Sequence, residues 1–282
     1  MKRLLTLAAT GLICGATVLA TSGIAGAAST PRGPAAAQPG GPLVKAAGHA
    51  GLPTVSLNWS GYAATSKTPF SSVHSTFIQP SLKCTGAANQ WTSNWVGLDG
   101  FNDQTVEQDG TFARCGGASH TTPVYKAWYE MYPAGSVNVF SVHPGDIIDD
   151  AVNYASGQFV LTISDLTTGK AATTSAKCSS CARASAEWII ERPALCNSSF
   201  TKCFLTELAD FRSTTMSADW ASVDGASAKN IGAFTNHPIF MIEPLKRGFI
   251  SLDTVGALSG PSFTATWDRS GTTTPITLGP NR

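Results

Sequence analysis

Short strand-like segments separated by turn residues occupy the chain from Ser56 to about Asp268, and they limit the possible folds more than any other feature. They are rich in β-branched and aromatic residues. The clearest are Val73–Ile78, Asn94–Leu98, Val124–Tyr132, Ile147–Tyr154, Phe159–Asp165, Ala186–Glu191, Phe240–Glu243 and Ser262–Trp267. No sustained 3.6-residue apolar period occurs, and only Phe204–Phe211 is a modest helix candidate. Strands without crossover helices favour two packed antiparallel sheets, so we predict a single all-β sandwich domain.

The N-terminal residues have the pattern of an export signal. Basic Lys2 and Arg3 precede a short apolar run, and Ala25-Gly26-Ala27 follows as a small-residue cleavage site. We therefore predict a signal peptide over 1–27 and a Pro/Gly/Ala-rich pro-segment or linker over 28–52. The folded domain then covers 53–270 and a flexible tail covers 271–282. These boundaries imply a secreted protein that has no membrane anchor after the signal is removed.

Six cysteines remain once Cys14 leaves with the signal peptide, and an even number in an exported chain indicates three disulfides. They are Cys84, Cys115, Cys178, Cys181, Cys196 and Cys203. Many pairings are open on sequence alone; short spacing favours Cys178–Cys181 and Cys196–Cys203, which leaves Cys84–Cys115. A redox pair at Cys178 and Cys181, or a zinc site on the last four cysteines, is the alternative. Export and the lack of a βαβ setting favour disulfides, so we predict no metal.

Charge and motif content exclude several functions. From Gly51 onward, 15 Lys and Arg face 18 Asp and Glu without a basic cluster, which argues against nucleic-acid binding. The chain has no G-x-S-x-G, no H-E-x-x-H and no phosphate-binding loop, and its five histidines are scattered. The string Asp253-Thr254-Val255 lacks the glycine of an aspartic peptidase. Carboxylates, amides and aromatics remain as the chemical groups, and no cofactor is implied.

The segment 185–191 places two acids on one face of a strand. Residues two apart share a face, so Glu187, Ile189 and Glu191 point one way and Trp188 and Ile190 point the other. The bulky apolar pair indicates the buried face. The two carboxylates are therefore expected on the opposite side, which would be concave or solvated.

Two further segments combine aromatic and acidic residues. In Val124–Tyr132, the side chains of Trp128 and Glu130 share one face, and Trp95–Gly100 carries an indole and a carboxylate. Each segment alone is typical of an ordinary amphipathic sandwich face. Three such segments in one domain favour a binding groove.

Five ordered strings in the chain resemble those of the glutamic peptidases, the eqolisin family. They are Asn58-Trp59-Ser60-Gly61, Trp95-Val96-Gly97-Leu98-Asp99-Gly100, Gln108 before a Gly-containing turn, Tyr129-Glu130-Met131-Tyr132-Pro133 and Glu187-Trp188-Ile189-Ile190-Glu191. The resemblance covers nearly all of Leu57 to Trp267. It implies a β-sandwich of two antiparallel sheets, of the concanavalin A or lectin-like kind, in agreement with the strand pattern.

The resemblance also implies an activity and a set of residues. The family's Gln/Glu dyad falls on Gln108 and Glu191, not on Gln104 and Glu187. The implied enzyme is a monomeric endopeptidase that hydrolyses protein or peptide substrates with an activated water. The residues implied to line or support the substrate cleft are Trp59, Trp95, Asp99, Trp128 and Glu130. The Cys196–Cys203 loop also resembles a disulfide loop of the fungal members.

The chain departs from the family pattern in charge, because fungal members are strongly acidic and this chain is nearly neutral. An acid pH optimum is therefore not expected by default. Two alternatives remain: a secreted sandwich that binds peptide or carbohydrate without cleaving it, and a glycosidase that pairs Glu191 with Glu187 or Glu130. The presence of both Gln108 and Glu191 at matching positions favours the peptidase.

Overall fold

The computed structural model describes residues 43–45, 54–197 and 202–276. The predicted signal peptide over 1–27, most of the predicted pro-segment and the last six residues of the predicted tail lie outside the described residues, and the domain boundaries stay predictions. Within the described ranges there is no helix long and apolar enough to cross a membrane.

Strands form nearly all of the regular structure. In chain order they are β1 (Thr54–Ser56), β2 (Trp59–Thr65), β3 (Phe70–Ile78), β4 (Gln90–Leu98), β5 (Val106–Gly116), β6 (Thr122–Tyr132), β7 (Val137–Ser141), β8 (Ile147–Ala155), β9 (Gln158–Asp165), β10 (Lys170–Ala176), β11 (Ser185–Glu191), β12 (Ala194–Cys196), β13 (Cys203–Leu205), β14 (Glu207–Leu208), β15 (Ser213–Val223), β16 (Lys229–Asn230), β17 (Thr235–Pro244), β18 (Phe249–Ser251), β19 (Asp253–Val255), β20 (Phe263–Trp267) and β21 (Thr274–Ile276). One turn of 3-10 helix spans Ile231–Ala233.

Two large sheets pack face to face, which confirms the predicted β-sandwich. The front sheet has the order β1-β17-β2-β11-β4-β5-β6-β7, with β14 beside β4 and β18 beside β17. The back sheet has the order β10-β9-β8-β3-β15-β20-β19, with β16 beside β15. Both are antiparallel except where short β1 and β14 pair in parallel with β17 and β4. A small third sheet joins β12, β13 and β21.

The predicted strands are all present, but the helix predicted over Phe204–Phe211 is wrong. This segment contains the end of β13 and all of β14. Its main-chain N–H groups bond to distant carbonyls: Leu208 N–H to Ser270 O and Ala209 N–H to Trp91 O. Because tertiary partners take these donors, the local hydrogen bonds of a helix do not form.

The front sheet carries buried apolar side chains on both of its faces. On the inner face, Trp188 and Ile190 pack in the core between the sheets, as the alternation of β11 predicts. On the outer face lies a second group, which we call the outer-face cluster: Trp59, Ala63, Trp91, Trp95, Phe101, Val106, Phe112, Trp128, Tyr132, Ile189 and Ile239. Leu43 and Leu195 pack against it. The side of β11 that carries Glu187 and Glu191 is therefore buried and not solvated.

Three disulfides join the six cysteines: Cys84–Cys115, Cys178–Cys181 and Cys196–Cys203. Short spacing favours the last two pairs, and Cys84–Cys115 is the pair that they leave. The first ties the segment before β4 to β5. The third joins residues that face each other across β12 and β13. These cross-links restrict the unfolded chain and so stabilise the fold.

Candidate active site

Glu191 ends β11 on the outer face of the front sheet. It lies opposite Trp59 of β2 and Ser93 of β4. Its side chain is 1% exposed, so its charge is compatible with the fold only if donors replace water. The indole Nε1 of Trp95 donates to Glu191 Oε2 at 2.9 Å, and Asn58 Nδ2 donates to Oε1 at 3.3 Å. The two carboxylate oxygens are thus each held by a neutral donor.

Gln108 lies on β5, on the same outer face, and is fully buried. It faces Gly97 of β4 and Glu130 of β6, and its Nε2 donates to Glu130 Oε2 at 2.8 Å. Among the described residues, no donor meets Gln108 Oε1. One amide N–H and the carbonyl oxygen of Gln108 are therefore available to a ligand.

Gly97 makes room for this amide. A Cβ at this position would lie 3.1 Å from Gln108 Cβ and 3.0 Å from Trp95 Cζ3. Both distances are tighter than normal carbon contacts. The glycine therefore allows the glutamine and the indole to lie close together on the outer face.

The structure brings Gln108 and Glu191 onto one face but not into one row of the sheet. Gly97 faces Gln108 on one side and Glu187 on the other, whereas Glu191 faces Ser93. Strand β4 separates the two predicted dyad residues. The Trp95 side chain, which projects from β4, bonds to Glu191 and approaches the Gln108 row.

The predicted cleft tryptophans lie together around these groups. The rings of Trp59 and Trp95 meet edge to face at 4.8 Å, and Trp128 belongs to the same cluster. Within the part of the chain that is described, the indole N–H groups of Trp59 and Trp128 are buried and have no acceptor. Buried donors of this kind require an explanation, and a bound ligand supplies one.

Asp99, which the sequence places in the same group, bonds to the main chain just before β11. Its carboxylate accepts from the main-chain N–H groups of Arg183 at 2.7 Å and Ala184 at 2.6 Å. Asp99 thus holds the two residues that directly precede β11 in place. Its contribution to substrate binding stays a prediction.

Glu187 occupies the same face of β11 as Glu191 but has different neighbours. It is fully buried, and neither of its oxygens has a hydrogen-bond partner within the described ranges. Burial raises the pKa of Glu187 well above its usual value, and the charges of Asp99, Asp103 and Glu107 raise it further, while the nearby Ser185 hydroxyl opposes the rise. This setting therefore favours the neutral form of Glu187.

Two neighbours of Glu187 show the same effect. Burial and the charge of Asp99 raise the pKa of Glu107 to about 10 and that of Asp103 to about 7. We call Asp99, Asp103, Glu107 and Glu187 the carboxyl cluster. The sulfurs of Cys178 and Cys181 lie within 4.8 Å of a Glu107 oxygen, but in a disulfide they lack the thiolate form that binds zinc.

Sequence reasoning assigned no role to Asn58, which the structure places against Glu191. The only signal was its position at the start of the Asn58-Trp59-Ser60-Gly61 string. The guanidinium of Arg192, the residue after Glu191, donates from Nε to Leu57 O at 2.5 Å and from one terminal nitrogen to Thr272 O at 3.1 Å. Burial lowers the pKa of Arg192 to about 10.

A short N-terminal segment, 43–45, lies along this site. The Leu43 N–H donates to Gly100 O at 3.2 Å, and the Val44 N–H donates to Asn58 Oδ1 at 2.8 Å. Val44 O accepts from Leu57 N–H at 2.8 Å. An extended main chain therefore fits beside the outer-face cluster.

The fold and site together define a β-sandwich protein with a buried carboxylate and a buried amide on the outer face of one sheet. A model of the Peptidase A4 family matches residues 57–244. The chain belongs to the Peptidase A4 family, and its resemblance to the glutamic peptidases is confirmed.

Among the proteins similar to this chain are one curated relative and two solved structures. Scytalidopepsin B of Scytalidium lignicola is 32% identical over 164 residues, which are 56% of this chain and 60% of that protein. The match thus spans less than two thirds of the relative's length. A crystal structure of scytalido-glutamic peptidase with a peptide-based transition state analog superimposes with a TM-score of 0.63 at 24% identity, covering 75% of this chain and 98% of that chain. SCP-B, an eqolisin-family peptidase in complex with the tripeptide Ala-Ile-His, gives 0.61 at the same identity and coverage.

Proposed function

We propose that this protein is a secreted glutamic endopeptidase that cleaves protein or peptide substrates with Gln108 and Glu191. The observation that carries the proposal is the setting of Glu191: a buried carboxylate that bonds to Trp95 and Asn58 on the same sheet face as an amide with unused hydrogen-bonding atoms. Family membership supports the same reaction class.

The chemistry follows from the two functional groups. The carboxylate of Glu191 takes a proton from water while the water oxygen bonds to the peptide carbonyl carbon. The free N–H of Gln108 donates to the carbonyl oxygen as it becomes an oxyanion. Glu191 then returns the proton to the leaving nitrogen as the C–N bond breaks, and the carboxylate is regenerated.

The outer-face cluster suits an extended peptide as substrate. The unused indole N–H groups of Trp59 and Trp128 can donate to main-chain carbonyls. Segment 43–45 shows that a main chain pairs with Gly100 O and the Asn58 side chain at this place. The peptide-based ligands of the similar solved structures agree with this substrate class.

Secretion and a monomeric state are also part of the proposal. Three disulfides are typical of proteins that fold in an oxidising compartment. The Met1–Ala27 pattern of a signal peptide agrees with this. N-terminal sequencing and sizing of the protein from the culture medium test both points.

The test is hydrolysis of denatured protein between about pH 2 and about pH 8 in the presence of pepstatin, which blocks contaminating aspartic peptidases. We expect cleavage by the wild type. Gln108→Ala should lower kcat roughly 10²- to 10³-fold, the usual cost of one lost oxyanion donor. Circular dichroism should show that the variant remains folded.

Three results would overturn the proposal. Substantial activity of Glu191→Gln would show that another group acts as the base. Binding of denatured protein without cleavage at any pH would identify a binding module, and release of sugars would identify a glycosidase.

A further inference from the structure

Asn58 precedes β2 and is buried beside the end of β11, with its side chain against Glu191. Its main chain is tied to the same place, because Arg192 N–H donates to Asn58 O at 3.0 Å. The Asn58 N–H in turn donates to Ser56 Oγ at 3.2 Å. The side chain of Asn58 therefore contacts Glu191, and its main chain contacts the next residue, Arg192.

The contacts of the Asn58 carbonyl oxygen decide which way its amide points. Oδ1 accepts the Val44 N–H at 2.8 Å and lies 2.9 Å from Ser56 Oγ. A main-chain N–H can only donate, so Oδ1 and not Nδ2 must face Val44. The amide NH2 then necessarily faces the Glu191 carboxylate.

We propose that Asn58 is a positioning residue for Glu191, which fixes the carboxylate plane together with Trp95 and favours its ionised form before water attacks. This inference rests on the proposed function of Glu191. A hydrogen bond to an ionised carboxylate stabilises that form. A neutral donor also suits a base that must accept and return a proton, because it favours the charged form less strongly than a cation does.

The test compares Asn58→Asp with Asn58→Ala in pH profiles of kcat. Aspartate keeps the shape and the acceptor for Val44 N–H but replaces the donor to Glu191 with a second acid, and like charges disfavour ionisation. We expect kcat to fall about 10- to 100-fold in Asn58→Asp. The acidic limb of its kcat–pH profile should move to a pH about one unit higher than in the wild type. Asn58→Ala should shift the limb in the same direction by less, and KM should change little in both.

A merely structural role of Asn58 predicts the opposite ranking. Alanine, which removes every side-chain contact, would then be the more damaging change, and neither variant would move the acidic limb. Asn94→Ala is the matched control, because Asn94 is a buried asparagine of the same sheet that donates to Thr214 Oγ1 at 2.8 Å. It should lower the melting temperature without moving the limb.

The outcomes separate this inference from the proposed function. If Glu191→Gln is inactive and Asn58→Asp has the wild-type limb, Asn58 is not a positioning residue and the dyad stands. If Glu191→Gln keeps its activity, both proposals fail. A limb shift in Asn58→Asp larger than in Asn58→Ala, with Asn94→Ala unshifted, supports the positioning role.

Discussion

Glu187 and Glu191 lie four residues apart on the same face of β11, and both are buried, yet their surroundings are opposite. Glu191 accepts hydrogen bonds from an indole and an amide. Glu187 lies among Asp99, Asp103 and Glu107, and its pKa is raised well above the usual value by burial and by their charges. Burial alone therefore does not define a base. The donors that replace water decide whether a buried carboxyl is prepared to ionise.

The strongest test of this comparison is to replace each acid with its amide. Glu191→Gln should lose about 10²- to 10⁴-fold in kcat, because the amide cannot take a proton from water. Glu187→Gln should keep near-wild-type kcat, because the amide resembles the neutral acid already present. The two rates on one peptide substrate, measured on folded protein, check this expectation.

Each variant is the other's control, since both remove one carboxyl from the same strand. Equal losses would show that the carboxyl cluster takes part in the reaction. A loss confined to Glu187→Gln would reverse the assignment.

The second prediction concerns stability. Because the folded-state pKa of Glu187 is raised, the folded protein keeps a proton that the unfolded chain releases above about pH 4.3. The free energy of unfolding therefore decreases as the pH rises above that value. Glu187→Gln removes this loss, so the variant should be more stable than the wild type at about pH 8. At about pH 4 the two proteins should be nearly equal.

Denaturant unfolding at several pH values measures this difference. Glu191→Gln should show no such gain at high pH, because its amide would lose the fit to Trp95 Nε1 and Asn58 Nδ2. A constant difference between Glu187→Gln and wild type across the pH range would contradict the neutral state of Glu187.

Much of this architecture can be predicted from alternation. The period of two on β11 assigns Trp188 and Ile190 to the core and both glutamates to the other face, as observed. The same period cannot separate Glu187 from Glu191. That distinction depends on residues of other strands and loops, such as Trp95 and Asp99, which only the folded chain brings near.

Other features were missed for the same reason. On β5, Gln108 points outward, so its neighbour Asp109 points into the core between the sheets. Burial and the charge of Asp150, on the opposite sheet, raise the pKa of Asp109 well above its usual value. The nearly neutral composition gave no hint of such neutral core acids. Together with Glu187, they give the fold a physical reason to be more stable in acid than the net charge suggests.

The smallest expected effect concerns His74. Its ring nitrogens have hydrogen-bond partners, whereas the carboxyl oxygens of Glu187 have none among the described residues. His74 Nε2 and Nδ1 donate to Asp149 Oδ2 at 2.9 Å and Ala218 O at 3.0 Å, and both bonds require the protonated ring. Burial lowers the pKa of His74, but these bonds outweigh it and raise the pKa overall. The stabilisation is thus complete below about pH 6.5 and is lost as the pH rises through the folded-state pKa.

His74→Gln should lower the free energy of unfolding by about 0.5–1 kcal/mol near pH 6, because the pair is partly exposed, and by less near pH 9. An equal cost at both pH values would show that His74 contributes through its stacking on Trp220 and not through its charge.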